Sequence, residues 1–180
     1  MEYVEKVVAT GFNQDKFMLI ILLLTDDGNY ECERILFFTD IDKIAIHSIL
    51  SKGNVVYMVD SFNNKIYKYD FDLNEYNETT AGRDPRHMCI YNENIYVANF
   101  ESDNISVVDV EGFSLTVSIP AGIKPHDIKF YENGNLLYVS CYEENQIMEY
   151  NIQKCSTRYF NTDGKPMHIF IDENSIIAQT

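Results

Sequence analysis

The chain has 180 residues, of which 46% are hydrophobic and 13% aromatic, with 13 Tyr, 11 Phe, no Trp and a formal net charge of −14. That length is enough for one buried core. The charge excludes a nucleic-acid backbone as partner and disfavours an anionic membrane surface, because no basic stripe offsets it; cations, or basic patches on another protein, are the complements that remain.

The first ten residues carry acids and lack a basic start followed by a long apolar stretch. A strand is expected at Tyr3–Ala9, then a second over Phe17–Leu24. This longest apolar run is eight residues, far short of the ~20 that a membrane helix needs, so no membrane insertion is expected. A third strand follows at Tyr30–Phe38. From residue 44 the pattern becomes periodic, with four short strands in each of 44–82, 87–122 and 127–163. Two more strands, His168–Asp172 and Ser175–Gln179, end the chain, for an expected total of 17.

The period is carried by residues with mechanical roles. Tyr57, Tyr96 and Tyr138 recur at spacings of 39 and 42, as do Asp70, Asp109 and Asn151. Asp or Asn at the end of a third strand can bond its own backbone two residues on and close a tight turn. Pro85, Pro125 and Pro166 recur at 40 and 41 and stiffen the start of the next repeat. Gly82, Gly122 and Gly164 precede them, where positive φ is expected. An aromatic residue occupies each loop between second and third strands: Phe12, Phe62, Phe100 and Tyr142.

A period near forty with four strands per repeat predicts an all-β fold, a β-propeller of four-stranded antiparallel blades, with about four repeats present in one domain over 1–180. The expected blades are 1–40 (incomplete), 44–82, 87–122, 127–163 and 168–180 (incomplete), each with strands a to d from channel to rim. A closed four-bladed ring needs sixteen strands. Seventeen therefore point to part of a larger ring, to closure between chains, or to a small ring with an overlapping end. Exposed terminal blades leave self-association open as well.

The segment Ile95–Asp109, IYVANFESDNISVVD, followed by Ser118–Pro125, SIPAGIKP, resembles the YVTN-type β-propeller repeat. The resemblance is good over about 54–171 and weaker, though in register, over 1–50. Asp60 and Ser140 are read as standing where that repeat carries Asn99, and the last Gly-x-x-Pro is contracted to Gly164-Lys165-Pro166. The resemblance implies several such blades and leaves activity open, because the family includes surface-layer, binding and lactonase-like proteins.

All four histidines fall at or near the start of a strand a: His47, His87, His126 and His168. His87 and His168 share one repeat position, which Asp127 takes in the third repeat, with His126 one step earlier. Neutral imidazoles beside a carboxylate suit a divalent transition metal or acid–base work near neutral pH. The same repetition is what a duplicated structural histidine, bonded to the backbone at the d–a entry and packed between blades, would give, and that reading is the one first expected. Arg86 adds a candidate anion-binding group. The loops between strands b and c place Asp15, Glu101, Asp103, Glu143 and Glu144 on the same face, where they would attract a cation or basic partner, or simply be solvated. The loop aromatics would either stack on a ligand or wedge between blades.

No Gly-x-Ser-x-Gly elbow, phosphate loop or dinucleotide fingerprint is present in the sequence. Cys32, Cys89, Cys141 and Cys155 show no metal-type spacing, and a reducing cytoplasm is the expected location. The expected function is a non-catalytic binding or scaffold protein that recognises a protein or small ligand on the d–a/b–c loop face, with no cofactor beyond a divalent metal at the histidines. The alternative is a lactonase- or streptogramin-lyase-like propeller enzyme with a His/metal site at the channel mouth.

Overall fold

The computed structural model describes residues 3–13, 16–38, 44–131, 134–172 and 175–180. The chain divides into two compact units, Met1–Ile44 and Ala45–Thr180. Every helix or strand among the described residues is a strand, and there are 17 of them. No helix long and apolar enough to cross a membrane occurs among them.

In the first unit, β1 (Tyr3–Asn13), β2 (Lys16–Thr25) and β3 (Tyr30–Phe38) form an antiparallel sheet in that order. Phe17, Leu19 and Ile21 are buried while Met18 and Ile20 between them are half-buried, as the two-residue period of a strand requires. The turn into β3 is closed by the Asp27 carboxylate, which accepts from the Asn29 N–H at 3.2 Å and its side-chain amide at 2.9 Å.

The second unit contains three complete blades and a two-stranded sheet. The first blade is β4 (Ile46–Lys52), β5 (Val55–Asp60), β6 (Lys65–Asp70) and β7 (Glu75–Thr80). The second is β8 (Pro85–Tyr91), β9 (Asn94–Asn99), β10 (Asn104–Asp109) and β11 (Leu115–Pro120), and the third is β12 (Pro125–Phe130), β13 (Leu136–Cys141), β14 (Gln146–Asn151) and β15 (Ser156–Asn161). Strands β16 (His168–Ile171) and β17 (Ile176–Gln179) pair with each other. Within each blade the strands are hydrogen-bonded in chain order.

Burial falls from the second strand to the fourth. β5, β9 and β13 are buried on both faces after their first residue, whereas β7, β11 and β15 are almost wholly exposed. A blade covered by neighbours on both sides explains why VVYMV, IYVA and LYVSC are nearly continuous apolar runs rather than alternating ones. The clusters lie between blades. Tyr57, Val59 and Ile66 pack with Met88, Ile95, Val97 and Val108; Tyr96, Ala98, Ile105 and Val107 pack with Ile128, Leu137, Val139 and Met148. The first strands β4, β8, β12 and β16 adjoin in succession.

The turn residues act as their spacing suggests. Asp70 accepts from the N–H groups of Asp72 and Leu73 at 2.9 and 3.1 Å, and Asn151 from that of Lys154 at 2.9 Å. Two expectations need correction. Positive φ belongs to Asp84 (52°) and Lys124 (56°), not to Gly82, Gly122 or Gly164. Gly82 and Gly122 are required for space: a Cβ on Gly82 would lie 2.6 Å from Cγ of Asn99, and one on Gly122 would lie 2.7 Å from Sγ of Cys141. The ladder also pairs Asp60, Asn99 and Cys141 alike with the first residue of the next strand, so Cys141 rather than Ser140 is the counterpart of Asn99.

Candidate metal centre

Each complete blade has a bulge at the start of its first strand. The register slips between Ile46 and Ser48 in β4, between Pro85 and Met88 in β8, and between Pro125 and Ile128 in β12. A bulge inserts one unpaired residue and re-aims the side chains beside it. The aligned ladders define two successive slots in every repeat: His47, Arg86, His126 and Met167 occupy the first, and Ser48, His87, Asp127 and His168 the second. His47 therefore shares the slot of His126.

Because the first strands adjoin, the four imidazoles meet. Ring centroids are 5.1 Å apart for His47–His87, His87–His126 and His87–His168, 5.3 Å for His126–His168 and 5.6 Å for His47–His126. One ring nitrogen from each of His47, His87 and His126 lies within 4.8 Å of the other two, so these three could hold a metal ion. His126 is buried, His47 and His87 are half-buried, and the His168 side chain is 47% exposed at the edge of the group.

Two of the three rings are oriented from behind. Nδ1 of His126 lies 3.1 Å from the Met167 carbonyl, to which it can only donate, leaving an Nε2 lone pair free. Nδ1 of His87 faces Oδ1 of Asp127 at 3.9 Å, while its Nε2 is buried with no hydrogen-bond partner among the described residues. An orphaned buried nitrogen is costly, and carboxylate or carbonyl partners behind imidazoles are the usual support of metal-ligating histidines.

Asp127 is anchored from several sides. Its N–H donates to the Ser140 hydroxyl at 2.8 Å, and its carboxylate accepts from the N–H groups of Ile128 at 2.8 Å and Ile169 at 2.9 Å and from the Lys129 ammonium at 3.0 Å. Burial alone would raise its pKa, but the Ile169 N–H and the Lys129 charge hold it below the usual carboxylate value. The histidine values are lowered too, which for a base favours the neutral form: burial, reinforced by Arg86, lowers His47 to about 4, and burial lowers His87 to about 4 against the pull of Asp127. Burial also lowers His126, although its bond to Met167 opposes this. The three imidazoles are thus neutral near pH 7, the form that ligates metals.

The remaining candidates are distributed differently. Arg86 pairs with Asp84 at 2.6 Å and lies 4.8 Å over the Phe100 ring, which is itself 6.0 Å from His126. The loop acids are tied to the neighbouring d–a loops. Glu101 pairs with Lys124 at 3.4 Å, Asp103 accepts from the Lys124 N–H at 2.9 Å, Glu143 pairs with Lys165 at 2.9 Å, and Glu144 accepts from the Ile123 N–H at 2.9 Å. Lys124 and Lys165 also sit over Phe100 and Tyr142. Phe62 is exposed. Asp15 and the Phe12 side chain lie outside the described residues. Sequence reasoning missed the Met167 carbonyl, a backbone acceptor that no residue type signals, and Lys129, whose place two residues beyond Asp127 on the same strand face was the available signal.

These strands, blades and converging first strands define a β-propeller protein. No known family profile matches the chain, and no curated protein does. Solved structures do. Virginiamycin B lyase from Staphylococcus aureus is 12% identical with a TM-score of 0.67, the match covering 92% of this chain and 62% of that one. Citrobacter koseri AztD is 12% identical at a TM-score of 0.65, covering 96% and 50%. Kuenenia stuttgartiensis hydrazine synthase is 20% identical at 0.68, covering 78% and 44%. At these identities the likeness is one of fold, and this chain spans roughly half of each of these proteins.

Proposed function

We propose that this chain is a β-propeller binding module, built of YVTN-type repeats, that takes up one divalent transition-metal ion on His47, His87 and His126, with His168 at the rim. The observation that carries this reading is the buried, unpartnered Nε2 of His87 among three imidazoles whose ligating atoms lie within 4.8 Å of one another. Three neutral nitrogens suit Zn²⁺, Cu²⁺ or Ni²⁺ better than Mg²⁺ or Ca²⁺, which favour oxygen. The acidic surface, at a net charge of −14, favours cation approach.

A second reading is supported by the count of ligands. Three protein nitrogens leave a position open for water or substrate, as in catalytic zinc sites, which suits the enzyme alternative. The test for both begins with titration of the metal-free chain with Zn²⁺ by calorimetry and elemental analysis after desalting. One ion per chain is expected, with affinity reduced at least a hundredfold in His87→Ala. Absence of stoichiometric uptake, or equal uptake by His87→Ala, overturns the metal reading. Lactone or cyclic-depsipeptide opening that depends on the bound metal would favour the enzyme.

A further inference from the structure

Arg86 occupies the same repeat slot as His47 and His126, and the bulge in β8 places it beside His87. Its guanidinium lies over Phe100 and is held at one end by Asp84 through Nη2. Its Nε, by contrast, is buried and has no hydrogen-bond partner among the described residues. It is the second such atom at this site, after Nε2 of His87. The Phe100 ring beneath the guanidinium lies 6.0 Å from the His126 ring. Asp84 takes up one edge of this guanidinium, at Nη2, and leaves the Nε edge for a second anion.

We infer that the centre binds a small carboxylate together with its metal, one oxygen filling the ion's open position and the other accepting from Nε of Arg86. This rests on the metal reading above. The charges favour it: Arg86 is balanced by Asp84 and Lys129 by Asp127, so the metal supplies the net positive charge that the anion neutralises. The carboxylate therefore binds weakly to the metal-free chain. An ionised oxygen accepting from a guanidinium N–H makes a charge-assisted hydrogen bond, and the guanidinium stacks on the Phe100 ring. By linkage, carboxylate and metal tighten each other's binding by the same factor.

The experiment uses the full chain loaded with Co²⁺, whose visible absorption reports its ligands, titrated with sodium acetate against sodium chloride at matched ionic strength. Acetate is expected to shift the Co²⁺ bands saturably and to tighten Co²⁺ binding, while chloride does neither. In Arg86→Met the acetate dissociation constant rises at least tenfold, as loss of a charge-assisted hydrogen bond predicts, with the acetate-free Co²⁺ spectrum retained. If that variant does not fold, Arg86→Lys, which keeps the charge and the stem over Phe100 but lacks Nε–H, must show the weakened acetate affinity. A Co²⁺ spectrum indifferent to acetate, or acetate affinity unchanged in the Arg86 variant, overturns the inference while leaving the metal site standing. Failure of the wild-type chain to take up Co²⁺ defeats the metal reading itself.

Discussion

Nδ1 of His87 stands 3.9 Å from Oδ1 of the buried Asp127 carboxylate, which a backbone N–H and Lys129 hold ionised. At that distance no hydrogen bond is formed, and with His87 neutral the carboxylate faces the dipole of the imidazole ring. Asp127→Asn keeps the shape and removes the charge. It is expected to lower Zn²⁺ affinity ten- to a hundredfold, the usual effect of removing such support, as measured by competition against a chelating dye. Unchanged affinity would show that Asp127 serves only to anchor β16.

The metal-free protein should lose stability in mild acid. His47 and His87 have folded-state values of about 4 against 6.5 for an exposed imidazole. The unfolded chain therefore binds more protons than the folded one between those values, and stability falls as pH drops through that window. Above about pH 6.5 these groups add no pH dependence. Each can contribute a slope of up to about 1.4 kcal/mol per pH unit within the window. Urea denaturation at pH 7, 5.5 and 4.5 checks this, and His87→Gln should flatten the decline.

Gly122→Ala should destabilise the chain by about 1–3 kcal/mol, the usual cost of overpacking, because the new Cβ would sit 2.7 Å from the buried Cys141 Sγ. The same substitution at Gly53, whose Cβ would meet nothing within 4 Å, should cost less, through its positive φ alone. Thermal unfolding of the two variants side by side separates crowding from backbone strain.

Asp60→Ala should cost about 1–3 kcal/mol, because it takes the acceptor from the buried Tyr67 hydroxyl and from several part-buried N–H groups. The Asp60 carboxylate accepts from the N–H groups of Ala45 and Phe62 at 3.0 Å, from that of Asn63 at 3.2 Å and from the Tyr67 hydroxyl at 3.0 Å. Chemical denaturation measures the loss.

The repeat was legible because Asp70 and Asn151 each close a local turn and the tyrosines fill the same place between successive blades, and a task repeated in every blade leaves the same residue type at the same spacing. The convergence of the four histidines was legible for the same reason. Its detail was not. The bulges in β4, β8 and β12 depend on pairing between strands, so the common slot of His47 and His126 emerges only from the ladders. The Met167 carbonyl is a backbone group that any residue would offer. Gly82 and Gly122 suggested positive φ, yet the crowding that requires them comes from Asn99 and Cys141, distant in sequence. Glu101, Asp103, Glu143 and Glu144 were visible as loop acids, but their partners Lys124, Lys165 and Ile123 lie in the following d–a loops.

The most direct measurement is X-ray absorption at the zinc edge on the chain loaded with one equivalent of Zn²⁺ and desalted. Coordination by His47, His87 and His126 predicts at least three nitrogen scatterers at about 2.0–2.1 Å, with the outer-shell pattern of imidazole rings. A sulfur shell at about 2.3 Å, a first shell of oxygen without imidazole, or no zinc retained at all would contradict the assignment.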